Sequence, residues 1–387
     1  MRTWAEISLK AIEENIKNIR KITKRDAKIM AIVKADAYGH GFLEVAKVLS
    51  ENGADCFGVA TLDEAKKLRD AGFSQDILIL SSIMEEDIKE ALIYGITMTV
   101  CSYEGAKAIS DISKAEAIKA KIHIKLDTGM GRIGWVVGDG DNLDVLDEII
   151  KISKLDNLVL EGIFSHFSTS DEENQDYTRL QFKRFMSVCD GLKSKGLDIP
   201  IKHIANSAAV IMYPEYHLNM VRPGVILYGL YPSNEVDRTK ILLRPAMTLK
   251  SKITYIKTLE ENRGISYGKE YITKEPKKIA TVPVGYADGY VRSYAGCGEM
   301  IVNGKRVKIV GRICMDQCMI DVTNVNNINI GDEVTLFGDS VVTAEDIAEK
   351  MGTINYEAVC MVGKRIPRIY IKDGKTAKSC NYLLQGQ

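Results

Sequence analysis

The chain has 387 residues, 45% of them hydrophobic and 27% charged, which is an ordinary composition for a folded globular protein. A chain of this length is expected to fold as two domains. Its 52 basic and 52 acidic residues give a formal net charge of zero, which argues against nucleic acid or anionic lipid as partner and favours a small-molecule ligand. The longest apolar stretches, such as 208–213, are about six residues, against the roughly 20 of a membrane helix.

The N-terminal segment and the cysteines indicate a reducing compartment. Glu6 interrupts the apolar core that a secretory signal needs, and Glu13 and Glu14 argue against mitochondrial targeting, so we expect a cytoplasmic protein. The eight cysteines contain no C-x-x-C pair, and Cys314 and Cys318 form the one close pair. We therefore expect packed free thiols and no metal site.

Short β-branched runs alternate with amphipathic helical patterns from Ala27 to about Leu230, which predicts repeated βα units around a parallel sheet. The predicted strands are 28–33, 56–60, 77–80, 97–100, 121–126, 159–164, 201–204 and 218–221. The predicted helices between them include 42–51, 62–71, 85–94, 103–112 and 175–195. Eight parallel strands in about 200 residues fit a closed (β/α)₈ barrel, whose chemistry lies at the C-terminal strand ends.

The pattern changes after Ile241 to β-branched strands with tight turns and one helix near 343–351. The run 300–310 predicts a hairpin, because Asn303-Gly304 is a strong two-residue turn signal. We place a domain boundary near 235–245. The predicted organisation is a (β/α)₈ barrel over 1–240, a mainly β domain over 241–375 and a polar, frayed tail over 376–387.

Two familiar sequence motifs occur in the chain, but the residues that follow each of them do not fit the site it usually marks. Gly129 to Gly134 matches the dinucleotide-binding pattern G-x-G-x-x-G, but the residues that follow predict a loop where that fingerprint requires a helix. The segment 264–268 matches the G-x-S-x-G nucleophile elbow, whose triad histidine lies downstream of the serine. The last histidine of the chain is His217, so Ser266 has no such partner.

Lys34 follows the apolar run 29–33 and is predicted at the C-terminal mouth of the barrel. Burial disfavours the ammonium form and favours the neutral amine that forms a Schiff base with an aldehyde. A lysine at a strand end can equally extend into solvent, so its position alone leaves both interpretations open.

The sequence closely resembles the alanine racemases through separate motifs that follow the order of that family from Trp4 to about Tyr370. The motifs lie at 33–41, 127–132, 165–167, 205–207, 221–224, 266–268, 284–290, 311–317 and 354–357. The resemblance implies a pyridoxal phosphate (PLP) enzyme with an N-terminal barrel and a C-terminal β domain. The same architecture follows independently from the strand pattern.

The resemblance also implies roles for individual residues. Lys34 would carry PLP and serve as one catalytic base, and Tyr267 would be the second base on the opposite face of the cofactor. The other cofactor-binding residues would be Tyr38, His166, Asn206, Ser207, Arg222, Gly224, Val225 and Tyr356. The substrate-binding residues would be Arg132, Met315 and Asp316. The supporting residues would be Lys125, Asp171, Tyr286, Arg292 and Arg312.

Three of these roles have a physical reason. Arg222 would face the pyridine nitrogen and, because arginine keeps its proton, leave that nitrogen unprotonated. Tyr267 needs nearby positive charge to act as a base, since a tyrosine has an ordinary pKa near 10, and Arg132 would supply it. By the resemblance, Lys125 lies where a lysine is often carbamylated by CO₂ and orients the following arginine, and an ordinary ammonium so near Arg132 would repel it.

The implied function is the interconversion of L- and D-alanine, which supplies D-alanine for peptidoglycan. The implied assembly is a symmetric homodimer in which four residues of one subunit reach the barrel of the other, namely Tyr267, Cys314, Met315 and Asp316. Two alternatives stay open: a racemase of broader or different specificity, such as for serine, and a PLP-binding carrier without catalysis. The second domain with its tyrosine argues against the carrier.

Overall fold

The computed structural model describes residues 1–338 and 342–384. The chain divides into two compact units. We call Glu13–Ala37 and Val45–Leu243 the barrel unit, and Met1–Ile12, Tyr38–Glu44 and Arg244–Gln387 the β unit. No helix within the described ranges combines the length and the apolar character needed to cross a membrane.

The elements are numbered in chain order. The strands are β1 (Thr3–Ser8), β2 (Lys28–Ile32), β3 (Cys56–Val59), β4 (Asp76–Ser82), β5 (Thr97–Val100), β6 (Ala120–Asp127), β7 (Trp135–Val136), β8 (Leu158–Phe164), β9 (Ile201–His203), β10 (Met220–Val221), β11 (Met247–Lys252), β12 (Tyr255–Leu259), β13 (Gly264–Ile265), β14 (Tyr271–Ile272), β15 (Lys277–Val282), β16 (Glu299–Val302), β17 (Lys305–Lys308), β18 (Cys318–Asp321), β19 (Glu333–Phe337), β20 (Arg368–Lys372) and β21 (Lys375–Cys380). The α-helices are α1 (Leu9–Ile22), α2 (Phe42–Glu51), α3 (Leu62–Asp70), α4 (Glu85–Ile93), α5 (Tyr103–Ala115), α6 (Leu143–Ile152), α7 (Asp176–Ser194), α8 (Ser207–Met212), α9 (Ala344–Met351) and α10 (Asn355–Cys360).

The barrel unit contains a parallel sheet in the order β10-β2-β3-β4-β5-β6-β8-β9, and the short β7 pairs with β6. Backbone hydrogen bonds also join the two ends of this path, from Asn219 N–H to Lys202 O (3.2 Å) and from Arg222 N–H to Ala205 O (2.9 Å), so the sheet nearly closes. Strands such as β3 and β5 are buried along their whole length, as expected for parallel strands covered on both faces. The predicted barrel is confirmed, and its strands lie within two residues of the predicted bounds.

The β unit is built on a seven-stranded sheet in the order β17-β16-β19-β11-β1-β20-β21, with two smaller sheets, β12-β15-β18 and β13-β14. Strand β1 lies inside the large sheet, antiparallel to β11 and parallel to β20. The predicted hairpin joins β16 to β17, and Asn303 (φ 47°) and Gly304 (φ 74°) form its turn. Positive φ at both central residues is the mark of the type I′ turn that suits the strand twist.

The end of the chain departs from the prediction of a frayed tail. Residues Lys375–Cys380 form β21, which pairs antiparallel with β20 from Arg368↔Cys380 to Lys372↔Lys375. The segment is polar because β21 lies at the edge of the sheet, where its side chains are mostly exposed while its backbone is paired. The polar composition of this segment correctly predicted that its side chains are exposed, but the backbone forms a strand where a frayed tail was expected. The last three residues, 385–387, lie outside the described part of the chain.

Candidate functional site

Lys34 follows β2 at the C-terminal end of the barrel sheet and is half-buried. The four residues after it, 35–38, all have φ between 52° and 55°, which is a turn of left-handed helix. Residues with a Cβ avoid this conformation at a cost of about 1–2 kcal/mol each. The Glu64 carboxylate helps to hold the turn, because it accepts the Ala35 N–H (2.6 Å) and the Ala60 N–H (2.8 Å). Strain of this kind is typical of ligand sites.

Arg222 follows β10 and is 4% exposed. Its guanidinium donates to Ser165 O (2.7 Å), Ile204 O (3.1 Å) and the Nδ1 atoms of His203 (2.8 Å) and His166 (3.2 Å). Burial, followed by the charge of Arg132, lowers the pKa of Arg222 to about 9, so it stays protonated at neutral pH. Burial and the neighbouring Arg222 charge hold the pKa of His166 well below its ordinary value, so this imidazole is neutral. A fixed cation and a neutral ring therefore lie side by side at the mouth of the barrel.

Lys125 lies on β6 with 2% of its surface exposed. Its Nζ donates to Leu126 O (2.6 Å) and lies 5.3 Å from the centre of the Phe164 ring. Burial, reinforced by the charges of Arg222 and Arg132, lowers the pKa of Lys125 to about 7. A large fraction of this lysine is therefore a neutral, nucleophilic amine at neutral pH.

The glycine-rich segment after β6 folds around a carboxylate of the chain itself. Asp127 Oδ1 accepts the N–H groups of Gly129 (2.9 Å), Met130 (2.9 Å) and Gly131 (3.0 Å). Burial opposes ionisation, but these three bonds lower the pKa of Asp127. Strand β7 follows, where a dinucleotide fingerprint requires a helix. Arg132 is exposed on this loop.

The start of α8 and the turn after β10 form a cluster of hydroxyl and backbone N–H groups. Asn206 caps α8 by accepting the Ala209 N–H (3.1 Å) and also accepts the Ser170 hydroxyl (2.9 Å). The Ser207 Oγ accepts the Gly224 N–H (2.8 Å), which joins the two segments, and Val225 begins a buried 3₁₀ turn. Such groups are suited to a phosphate, which accepts hydrogen bonds from every side.

In the β unit, Tyr38 and Tyr356 lie together, with ring centroids 6.2 Å apart. Tyr38 is buried, and this burial, followed by the neighbouring Cys360, raises the pKa of its phenol well above the ordinary value. Tyr38 is thus a neutral hydroxyl at physiological pH. Tyr356 is half-buried on α10.

Tyr267 lies elsewhere in the β unit, on a tight turn between β13 and β14, and is 68% exposed. Ser266 before it has a φ of 64° and anchors the turn, because its hydroxyl donates to Arg312 O (2.6 Å). The loop that contains Arg312 also receives backbone hydrogen bonds from the turn at Tyr286, to Cys314 O (3.1 Å) and Met315 O (3.0 Å). The structure thus brings Tyr267, Tyr286 and Met315 to one region of the β unit with exposed side chains.

The remaining predicted residues have separate positions. Arg312 forms an ion pair with Glu270, and Asp316 accepts a hydrogen bond from Arg365 (2.8 Å). Arg292 is exposed on a 3₁₀ turn of the β unit. Asp171 belongs to the barrel unit, where burial raises the pKa of its carboxyl.

Sequence reasoning named Lys125 but not the row of polar residues on β6 to which it belongs. Alternate residues of β6 are polar, at Lys121, His123, Lys125 and Asp127, between buried apolar neighbours. Since successive side chains of a strand point to opposite faces, this period of two predicts a row of polar groups on one face. The resemblance implies a role for Lys125 and places Asp127 at the start of a motif, whereas His123 is indicated by this alternation alone.

The comparisons with known proteins agree with the geometry. The alanine racemase N-terminal and C-terminal domain families match residues 7–232 and 246–370. Alanine racemase of Clostridium tetani is 50% identical to the chain over 98% of both proteins. A solved alanine racemase of Clostridium difficile 630 has a TM-score of 0.96 at 44% identity, covering 99% of both chains. That of Bacillus anthracis with bound L-Ala-P has a TM-score of 0.92 at 39% identity, covering 99% of this chain and 98% of the other. The chain therefore belongs to the alanine racemase family.

Proposed function

We propose that this protein is a PLP-dependent alanine racemase that interconverts L- and D-alanine and supplies D-alanine for peptidoglycan. The observation that carries the proposal is the set of groups at the barrel mouth. It combines the Lys34 amine, the hydroxyl and N–H cluster at Ser207 and Gly224, and the buried Arg222 guanidinium. The relative from Bacillus anthracis was solved with L-Ala-P, which supports an alanine-like substrate. No observation favours serine racemisation or a carrier without catalysis.

The donor set fits PLP group by group. The Lys34 amine would hold the aldehyde carbon, and Ser207, Gly224 and Val225 would hold the phosphate by hydroxyl and backbone N–H groups. Tyr38, Tyr356 and Asn206 are further polar partners in this assignment. His166 would lie against the pyridine ring, and Arg222 would donate to the ring nitrogen. When bound, PLP withdraws electrons from the substrate and so acidifies its Cα–H.

Racemisation requires that a proton leave one face of Cα and that another arrive on the opposite face. Lys34 would move the proton of the D enantiomer and Tyr267 that of the L enantiomer. Arg132 would bind the substrate carboxylate and favour the phenolate of Tyr267. Met315 and Asp316 would border the substrate.

Lys125 has the properties that carbamylation requires. Its neutral amine would attack the carbon of CO₂, forming an N–C bond as one C=O π pair moves to oxygen, and the nitrogen would then release a proton to solvent, which leaves an anionic carbamate. The pKa of about 7 supports this step, since the ammonium form is not nucleophilic. The carbamate would then attract Arg132 and hold its guanidinium for the substrate.

We further propose a homodimer in the cytoplasm. Residues 1–240 would serve as the PLP-binding domain and residues 241–375 as the Tyr267-bearing domain. Tyr267, Met315 and Asp316 would reach the barrel of the partner subunit, with Asp171, Tyr286, Arg292 and Arg312 lining the entrance. The exposure of Tyr267 and Met315, both apolar in large part, supports an interface at this region.

The experiment that tests the proposal follows Cα–H exchange with solvent deuterium in the Tyr267→Phe protein, starting from L-alanine or from D-alanine. We expect exchange from L-alanine to fall about 10²–10⁴-fold, because this step needs the phenolate, and exchange from D-alanine to fall much less. Cofactor absorbance should be retained, whereas Lys34→Ala should abolish both absorbance and turnover. Serine and lysine as substrates test the specificity. Equal loss from both enantiomers would remove Tyr267 from its catalytic role.

A further inference from the structure

A chain of hydrogen bonds runs from Arg222 through the interior of the barrel unit. The Arg222 guanidinium bonds to His203 Nδ1 (2.8 Å), and His203 Nε2 lies 2.9 Å from His123 Nδ1. His123 Nε2 in turn lies 3.4 Å from Glu161 Oε2. Glu161 is paired with Lys121 (3.3 Å), which is also paired with Asp76 (2.8 Å) at the start of β4. The chain thus leads from the C-terminal mouth towards the N-terminal ends of the strands.

The direction of every bond in this chain follows from its first member. A guanidinium has only donors, so His203 Nδ1 must accept and its proton must lie on Nε2. That proton is donated to His123 Nδ1, which places the proton of His123 on Nε2, facing Glu161. Both imidazoles are therefore neutral Nε2–H tautomers, and the terminal carboxylate accepts.

The surroundings are shaped for these two rings. His123 and His203 are 2% and 0% exposed, and Phe164 stacks on His203 with centroids 4.8 Å apart and planes 7° apart. Gly162 leaves the space that His123 occupies, because a Cβ there would lie 2.5 Å from the imidazole. Burial, followed for His203 by the Arg222 charge, lowers the pKa of both histidines. The hydrogen bond from His123 is the largest cause that lowers the pKa of Glu161 to about 2.

We infer that Glu161, His123 and His203 are positioning residues for Arg222: Arg222 sets the direction of the chain, and the acceptor at Glu161 gives the buried Nε2–H of His123 its partner, which holds both rings and thereby the direction in which the guanidinium donates at the barrel mouth. This inference rests on the proposed function, in which Arg222 donates to the pyridine nitrogen of PLP. Without an acceptor at 161, the buried Nε2–H of His123 has no partner in the chain of hydrogen bonds, and the His123 ring is held by His203 alone. The Nδ1–H tautomer would oppose the proton of His203 and weaken the hold on Arg222.

The test compares Glu161→Leu, which removes the acceptor, with Glu161→Gln, whose amide oxygen can still accept from His123. The matched control is Glu90→Leu, which removes a carboxylate that is ion-paired with Lys66 at the barrel periphery. The primary readout is ¹⁵N NMR of the imidazoles in the PLP-loaded protein, where five histidines keep the spectrum simple. The second readout is the ¹⁵N shift of the pyridine nitrogen in labelled PLP, and the third is steady-state kinetics.

We expect Nε2–H tautomers for His123 and His203 in the wild type, in Glu161→Gln and in Glu90→Leu. Glu161→Leu should leave the Nε2–H of His123 without a partner, move the ¹⁵N shifts of His123 and His203, move the pyridine ¹⁵N shift away from its hydrogen-bonded value, and lower kcat about tenfold with KM changed less than about twofold. Unchanged ¹⁵N shifts of His203 and of the pyridine nitrogen in Glu161→Leu would overturn the inference, whatever the kinetics. Equal effects of Gln and Leu would also overturn it, because a hydrogen-bond acceptor would then not be the cause. A wild type without PLP binding or alanine turnover would refute the proposed function instead, since the apoprotein still reports both tautomers.

Discussion

Buried basic groups share the interior of the barrel unit, and each meets the cost of burial in its own way. Arg222 keeps its charge and donates to backbone carbonyls and imidazoles, while His203 remains neutral. Within the described residues Lys125 has one hydrogen-bond acceptor, the backbone carbonyl of Leu126, and burial holds its amine near the point of losing its proton. The same residue is thereby made reactive toward CO₂ and costly to keep as an ammonium ion.

The pKa of Lys125 predicts how stability depends on pH. Below pH 7 the amine is protonated in the folded and the unfolded chain, and the folded state bears the full cost of the buried charge. Between about pH 7 and 10 the folded chain has released this proton while the unfolded chain keeps it, so unfolding takes up a proton and stability rises. Wild type should therefore gain stability relative to Lys125→Met over this range.

The measurement is urea unfolding of both proteins at pH 7, 8.5 and 10 in CO₂-free buffer, which prevents carbamylation. Because other titrating groups are common to both proteins, the difference in midpoint isolates Lys125. A difference that is flat or falls with rising pH would contradict the assignment of a depressed pKa. Addition of ¹³CO₂ to the wild type should then produce a carbamate carbon signal that Lys125→Met lacks.

Gly41 offers a second prediction at the scale of single residues. Its φ is 96°, and a Cβ there would lie 1.8 Å from the Tyr370 hydroxyl oxygen, within the β unit. Gly41→Ala combines an unfavourable φ with a clash in a packed region, and should lower the free energy of unfolding by roughly 3 kcal/mol. Gly72→Ala is the matched control, because its φ is 86° but, apart from its two chain neighbours, no described residue has an atom within 4 Å of the added Cβ.

Gly72→Ala should lower the free energy of unfolding by about 1 kcal/mol, because it brings only the unfavourable φ and no clash. Denaturant unfolding followed by circular dichroism measures both variants. Costs that agree within about 0.5 kcal/mol would mean that the Tyr370 contact contributes little, and that the region adjusts to the methyl group.

At the scale of elements, the sequence pattern of a short window predicted the strands, helices and turns that form within that window. The barrel strands, α2 and the hairpin of Asn303-Gly304 were predictable because each depends on periodicity or turn chemistry within a short window. The pairing of Thr3–Ser8 with β11 and β20 was not predictable, because no short sequence pattern indicates which distant segment a strand pairs with. Strand β21 was not predictable either, because an exposed edge strand has the composition of a loop.

In the candidate site, too, the features that depend on local sequence were predictable and those that depend on distant contacts were not. Lys34 and Arg222 follow strands, so the rule for barrel ends predicted their place, but their roles came from the resemblance to a family. The left-handed turn after Lys34 could not be expected, because Ala35 and Ala37 have no preference for positive φ. The path from Arg222 to Glu161 depends on three strands meeting in register, which only the structure provides.

Helix α9 provides a prediction at this scale. The Thr343 hydroxyl accepts the Asp346 N–H (3.1 Å), and the Asp346 carboxylate accepts the Thr343 N–H (2.8 Å), which is a reciprocal capping box. Thr343→Ala should lower the free energy of unfolding by about 1 kcal/mol, whereas Thr343→Ser should retain most of it. Thermal unfolding of the three proteins side by side measures the loss. A serine variant as unstable as the alanine variant would show that the hydroxyl is not the stabilising group.

At the scale of the whole molecule, the two proposed bases belong to different compact units. Lys34 is in the barrel unit and half-buried, while Tyr267 is in the β unit and largely exposed. A large aromatic side chain held in solvent by a turn with φ of 64° at Ser266 is costly unless it serves another surface. We therefore expect the exposed phenol to complete the site of a second copy of the chain.

Subunit mixing tests that expectation directly. If each site takes Lys34 from one chain and Tyr267 from the other, a heterodimer of Lys34→Ala and Tyr267→Phe chains has one site with both residues intact and one with neither. Random exchange makes half of the dimers heterodimers, so activity should recover to about one quarter of wild type, although each parent is nearly inactive. Two affinity tags on the two chains allow the heterodimer to be isolated, where recovery should approach one half. If both bases came from the same chain, every site would contain one defect. No activity would then return after exchange that the tags have verified.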